Sequence, residues 1–350
     1  MIKPNTHIRT LQQYIPGEQP QTRDFIKLNT NENPYPASPH VVKSLADAIR
    51  HERIRLYPDP LCKNLRKAAG RRWRVPADAI FVSNGSDEAL RLLFQAYLEP
   101  GDSVAALFPT YTLYETYAQL FGAEIIYYNL KSDLALPKHF FKRMKHKIIC
   151  IANPNPPYGT FYDIDEVAGI IKANRSSLVI VDEAYVDFAP GNALSIIKYF
   201  DNVIVTRSFS KSYGMAGLRI GFGISAPPII ETLYKSKDSY NVNFAAQVAA
   251  TAAFEDYSYY KQNMRKLIAS RTGLSRELKK LGFSVPESAA NFIFARWKSN
   301  AQFLYAELKK RKILVRYFSN PVLADGLRIS IGTEDENKAL VGAIKEIIKP

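Results

Sequence analysis

The chain has 350 residues, 47% of them hydrophobic, 12% aromatic and 23% charged, which excludes the fibrous, low-complexity and disordered classes. Its length is too great for one small core and suits a large domain plus a smaller one. A formal net charge of +14, from 47 Lys and Arg against 33 Asp and Glu, favours anionic partners.

Residues 1–17 carry Lys3, His7 and Arg9 and no uninterrupted apolar core, so no signal peptide is expected. No later segment approaches the ~18 consecutive apolar residues of a membrane span. The expectation is a soluble, cytoplasmic protein without a membrane partner. After a proline-rich entry at Pro34, Pro36 and Pro39, strand-like runs fall at 79–83, 103–107, 124–128, 147–152, 178–181, 203–206 and 220–224. Amphipathic stretches such as 88–98, 114–120 and 163–173 lie between most of them. That alternation predicts an α/β fold, a doubly wound and largely parallel sheet of about seven strands flanked by helices.

From Ala226 the pattern turns helical, through 245–254 and 257–281, with Gly282 as a helix stop. Strands resume at 291–295, 313–317 and 327–331, with helices at 300–311 and from Glu334, a smaller α+β domain. The division expected is an N-terminal arm over 1–45, a large domain over 46–255 and a small one over 256–350. Cys62, in a polar and helical stretch, and Cys150, in an apolar strand, are read as idle thiols. Basic clusters at 66–74, 138–147 and 309–316 read as solvated helix faces or as contacts for small anions. A nucleic-acid binder is the competing reading, but no motif of that kind accompanies the charge.

In such sheets ligands sit at the carboxyl ends of the strands. The run Thr206-Arg207-Ser208-Phe209-Ser210-Lys211, with Gly214, Gly217 and Arg219 after it, places hydroxyls, an amine and a guanidinium on one short segment. That set suits a phosphorylated aldehyde: the Lys211 amine forms a Schiff base while Ser208, Ser210 and Arg219 hold the phosphate. Pyridoxal phosphate is the candidate cofactor, and a polar loop ending a strand is the plain alternative. Gly85, Ser86 and Asp87 open a helix whose free amides bind phosphate, although Ser86 or Asp87 could equally cap that helix. Tyr111 offers a flat partner for a pyridine ring, or simple core packing. Asn155, in the turn Asn153-Pro154-Asn155-Pro156-Pro157-Tyr158-Gly159, can aim an amide at a ring oxygen, or only make the turn. Asp182 ends an apolar strand, where a carboxylate needs a cationic partner such as a pyridinium nitrogen, and Tyr185 follows within reach of a ring hydroxyl. Magnesium at Asp182 and Glu183 is the rival reading, and the phosphate loop it calls for has no counterpart in the sequence.

The order of these pieces resembles the fold-type I pyridoxal-phosphate aminotransferases, and within them the histidinol-phosphate branch. The resemblance covers nearly the whole chain and rests on seven stretches: 28–34, Tyr57-Pro58-Asp59, 83–88, Pro109-Thr110-Tyr111, 182–185, Ser208 to Lys211 with Arg219, and 327–333. It implies transamination between L-histidinol phosphate and 2-oxoglutarate, giving imidazole-acetol phosphate and glutamate in histidine biosynthesis. An aromatic-amino-acid aminotransferase and a phosphothreonine-type decarboxylase are the alternatives within the fold. It implies Lys211, Asp182 and Tyr185 as catalytic residues, with Gly85, Ser86, Asp87, Tyr111, Asn155, Ser208, Ser210 and Arg219 around the cofactor. Arg328 matches the arginine that clamps a substrate α-carboxylate, with a surface salt bridge as the plain alternative. Tyr14 and Arg316 match positions that help hold an anionic substrate's phosphate, with a solvated charge as the alternative for Arg316. It further implies a homodimer in which Tyr57 reaches the neighbouring active site. Where many relatives read Asn-Pro-Thr-Gly, this chain reads Pro156-Pro157-Tyr158-Gly159. The ring-contacting asparagine is then Asn155 or absent, and Tyr158 is expected to add bulk beside the substrate.

Overall fold

The computed structural model describes residues 2–11, 17–22, 24–50, 55–297 and 299–348. In chain order the first elements are α1 (Thr6–Thr10), β1 (Ile26–Lys27), α2 (Pro39–Arg50), α3 (Lys63–Trp73), β2 (Ile80–Asn84), α4 (Ser86–Tyr97), β3 (Ser103–Phe108), α5 (Leu113–Leu120) and β4 (Glu124–Asn129). Next come β5 (Ile148–Ala152), α6 (Ile164–Ala173), β6 (Leu178–Asp182), β7 (Val203–Ser208), β8 (Ile220–Ser225), α7 (Pro227–Ser236), α8 (Phe244–Glu255) and α9 (Tyr257–Lys280). The chain closes with β9 (Phe292–Arg296), α10 (Ala301–Lys310), β10 (Ile313–Leu314), β11 (Arg316–Tyr317), β12 (Gly326–Ser330) and α11 (Glu334–Ile348).

Seven strands form the main sheet in the order β2-β8-β7-β6-β5-β3-β4. All pairings are parallel except those of β8, which runs antiparallel to both β2 and β7. Strands β5, β6, β7 and β8 are buried at every residue, as expected of strands covered on both faces. Side chains alternate between two cores: Ile149, Ile151, Val179 and Val181 pack under α3, α6 and α8, whereas Ile148, Cys150 and Ile180 pack under α4, α5 and α7. Local signals set the helix ends. Asp163 and Glu166 form a capping box at α6, Pro227 and Pro228 open α7, and Asn243 caps α8 by accepting from the Ala246 amide.

The second sheet, β11-β12-β9, is antiparallel, and a two-stranded pair joins β1 to β10. Here the structure corrects one expected strand. The run 313–317 is broken at Val315, because Ile313 and Leu314 ladder with Ile26 and Lys27 while Arg316 and Tyr317 ladder with Arg328 and Leu327. A single apolar run thus serves two sheets. Cys62 is likewise not helical: it takes a left-handed conformation, φ 48° and ψ 41°, immediately before α3. Both thiols are free and buried, and no helix among the described residues is long and apolar enough to cross a membrane.

Candidate active site

A cavity of about 760 Å³ opens at the carboxyl ends of the parallel strands and runs beneath the second sheet. One wall carries Asp182, Tyr185 and Lys211; the other carries Arg316, Phe318 and Arg328.

At one end the chain builds a cradle for an anion. Ser86, Asp87, Ser208, Ser210 and Arg219 all line it, and α4 starts there, with its first amides free of helical partners. Two glycines make room. Gly85 has φ +78°, and a Cβ on it would stand 2.4 Å from the Arg219 guanidinium; a Cβ on Gly221 would stand 2.2 Å from the Ser86 nitrogen. Arg219, itself left-handed at φ 54°, donates from Nη1 to Ser210 Oγ at 3.2 Å and from Nη2 to Asp87 Oδ2 at 3.0 Å. The Ser210 amide donates to Ser208 Oγ at 3.1 Å. Amides, hydroxyls and a guanidinium converging on one concavity fit a phosphate dianion.

Asp182, the last residue of β6, is 5% exposed. Burial pushes its carboxyl above the usual range, while the Tyr114 and Thr206 hydroxyls pull the other way. Those hydroxyls donate to Oδ2 at 2.8 Å and to Oδ1 at 3.0 Å, fixing the carboxylate where it meets the cavity. Glu183 points elsewhere. It receives two bonds from Arg207, at 2.9 and 2.7 Å, and one from the Ala193 amide. Asp182 is held by Tyr114 and Thr206 and Glu183 by Arg207 and the Ala193 amide, so the two carboxylates are turned to different partners. Among the described residues, no group of three or more His, Cys, Asp or Glu side chains is placed to hold a metal ion.

The Lys211 amine donates to the Thr30 carbonyl at 3.2 Å and lies 5.8 Å from the Tyr185 ring centre. Burial, and then the positive Arg328, lower its pKa to about 8. Tyr185 accepts from Asn31 Nδ2 at 3.0 Å. Arg316 and Arg328 are direct cross-strand partners. Both guanidiniums lie over the Phe318 ring, at 5.5 and 5.6 Å, and Arg328 also donates to the Asn29 carbonyl at 3.0 Å. Carbonyls of Asn29 and Thr30 thus hold Arg328 and Lys211 from one short strap.

The remaining residues singled out in the sequence fall as follows. Tyr111 lines the cavity, with its hydroxyl 3.2 Å from Asp87 Oδ1. Asn155 does not line it: its amide nitrogen donates to the Pro109 carbonyl at 2.9 Å and its oxygen accepts from Thr110 at 2.6 Å, so it serves the turn. Tyr158 also departs from expectation. It is buried behind the cavity against Phe294 and Leu323, and its hydroxyl accepts from Arg296 at 2.8 Å. The turn carries the ring toward the second sheet, away from the space a substrate would fill. Tyr57 lies in a separate groove, 81% exposed and stacked on Tyr240 at 4.3 Å. Tyr14 falls outside the described residues. Asn31 and Thr30 had no role assigned from sequence. Their partners lie 154 and 181 positions away, beyond any spacing rule.

The family model for Aminotransferase class I and II matches residues 23–344. The chain belongs to that family. A histidinol-phosphate aminotransferase of Microcystis aeruginosa is 44% identical to this aminotransferase, over 99% of both chains. One of Clostridium acetobutylicum is 40% identical over 98% of both. Among solved structures, histidinol-phosphate aminotransferase from Sinorhizobium meliloti, in complex with pyridoxal-5'-phosphate, superposes with a TM-score of 0.89, covering 99% of this aminotransferase and 98% of that chain at 24% identity. That likeness concerns the fold, the mainly parallel α/β architecture described above.

Proposed function

We propose that this protein is a pyridoxal-phosphate-dependent transaminase that moves the amino group of L-histidinol phosphate to 2-oxoglutarate, in histidine biosynthesis. The observation that carries the reading is the convergence of Lys211, Asp182, Tyr185 and the anion cradle on one cavity that also holds Arg316 and Arg328. The names of the full-length relatives supply the substrate.

The cradle fits the cofactor's phosphate. Ser86, Asp87, Ser208, Ser210 and Arg219 would hold it, with Gly85 and Gly221 giving the close approach. Tyr111 would stack on the ring, Asp182 would keep the ring nitrogen protonated, and Tyr185 would donate to the ring oxygen. When bound, the cofactor supplies the linkage to Lys211 and an electron sink for charge developing on the substrate carbon. The Lys211 amine, once free, would take the substrate's α proton and deliver it to the bound group rather than back to the same carbon; a pKa near 8 leaves it partly neutral at physiological pH. Arg328 and Arg316 grip the anionic end of the substrate and set its orientation, and Tyr14 would join them.

The two units would divide between α8 and α9, with the arm over 1–45 joined to the second unit through β1 and β10. A homodimer would place Tyr57 in the neighbouring active site. Leu56 lines the same groove as Tyr57, and Val42 and Ile49 lie on α2, which also borders that groove through Ser44; all three are large, exposed and apolar, a surface that suits a second copy. The setting is the cytoplasm. Steady-state assay of the loaded enzyme with 2-oxoglutarate tests the reading: Arg328→Ala and Arg316→Ala each raise KM for histidinol phosphate ~10-fold or more, the size of one charge-assisted contact. Unchanged KM in both would refute the placement of the substrate.

A further inference from the structure

Asn31 takes the left-handed backbone, φ 56°, and is 1% exposed. Its amide N–H donates to Ser330 Oγ at 2.8 Å, and Ser330 Oγ donates back to Asn31 Oδ1 at 3.1 Å. Its carbonyl accepts from Asn291 Nδ2 at 3.0 Å. A serine hydroxyl has one hydrogen. With that hydrogen directed to Oδ1, the oxygen of the Asn31 side chain faces Ser330. The NH₂ group therefore faces Tyr185 and donates to its hydroxyl at 3.0 Å. A tyrosine hydroxyl that accepts on that side keeps its own hydrogen for the other, which is the cavity.

We propose that Asn31 is a positioning residue that turns the Tyr185 hydroxyl hydrogen toward the cofactor's ring oxygen and thereby sets the proton affinity of the Lys211–cofactor linkage. The inference rests on the placement of Tyr185 beside that oxygen. The neighbouring turn offers no equivalent help, because the Asn155 amide is committed to Pro109 and Thr110 and Pro156 has no side-chain donor. Ser330 and Asn291 belong to the second sheet or its approach. The donor chain Ser330–Asn31–Tyr185 thus carries the arrangement of one unit to the cofactor edge of the other.

A donor at the ring oxygen stabilises negative charge there and makes the linkage nitrogen easier to deprotonate. Weakening the donor raises the pH midpoint. The test is an absorbance titration of the cofactor-loaded protein for Asn31→Gly, Asn31→Asp and Tyr185→Phe, with circular dichroism to verify folding. Glycine and aspartate both tolerate the left-handed backbone. Glycine removes the donor, and aspartate replaces it with an acceptor that draws the Tyr185 hydrogen back. The expected result is a rise of about one pH unit in both Asn31 variants, the size of one hydrogen bond to a charged group, in the same direction as Tyr185→Phe. A structural role for Asn31 would change melting without moving the midpoint. If Tyr185→Phe shifts the midpoint while folded Asn31 variants keep the wild-type value, the role of Asn31 is overturned. If Tyr185→Phe also leaves it unchanged, the placement of Tyr185 itself is wrong, and the inference goes with it.

Discussion

Tyr114 donates its hydroxyl to Asp182 Oδ2 at 2.8 Å from a fully buried position on α5. A carboxylate is thereby held at a strand end where burial makes its charge costly. A folded-state pKa above the unfolded one means that the folded chain binds the extra proton, so this group's contribution to stability falls as pH rises through that window. Asp182→Asn removes the cost. Without cofactor it should melt at or above the wild-type temperature at pH 7, and the rise in melting temperature on adding pyridoxal phosphate should shrink. Lower melting without cofactor, together with an unchanged cofactor effect, would make Asp182 an ordinary structural carboxylate.

Lys211 gives a pH prediction. Its pKa near 8 arises from burial and from Arg328. An amine reacts with an aldehyde only when neutral, so the attack rate of the cofactor-free protein on pyridoxal phosphate should climb up to about pH 8 and then level off. An exposed lysine would keep gaining to beyond pH 10. Arg328→Ala removes a positive neighbour and should move the midpoint upward. Stopped-flow absorbance reads both.

Glu183 and Arg207 form a buried pair, with side chains 0% and 9% exposed. Glu183→Ala leaves the guanidinium buried without its counter-charge, at a cost of about 3–5 kcal/mol. Glu183→Leu combined with Arg207→Met should recover most of that loss in urea unfolding. No recovery would mean that the pair contributes net stability.

Tyr158 stands behind Leu323 and against Phe294. Tyr158→Thr should cost about 3 kcal/mol of stability through the cavity it leaves. The preference for histidinol phosphate over phenylalanine should change less than about threefold, since no substrate contact is removed. A large change in preference would place the ring in the substrate's path after all.

The proposal that Tyr57 serves the neighbouring active site of a homodimer has a complementation test. On that proposal, co-expression of Lys211→Ala and Tyr57→Ala chains gives mixed dimers in which one site combines the Lys211 of the Tyr57→Ala chain with the Tyr57 of the Lys211→Ala chain. Random pairing makes about half the dimers mixed, so about a quarter of wild-type activity should return. No recovery, with mixed dimers demonstrated, would show that Tyr57 serves its own chain.

The seven strands were legible because buried parallel strands are apolar along their whole length, as Ile148 to Ala152 and Leu178 to Val181 are. Asp182 and Lys211 stood out as polar groups at the ends of such runs. The break at Val315 was hidden, since an apolar residue reads alike in either sheet. The turn around Asn155 and Tyr158 misled for a related reason: sequence shows which groups a turn carries, whereas their direction depends on Pro109, Thr110 and Arg296, which are distant in the chain. Asn31 belongs with these, as its partners come from Ser330 and Tyr185.

The most direct measurement is the absorbance spectrum of the yellow, cofactor-loaded protein mixed with L-histidinol phosphate and no keto acid, beside L-phenylalanine and L-phosphothreonine. The account predicts rapid conversion from the aldehyde to the amine form with histidinol phosphate and slow conversion with the other two. Faster conversion by phenylalanine would contradict the substrate assignment, and a protein that never turns yellow would contradict the role of Lys211.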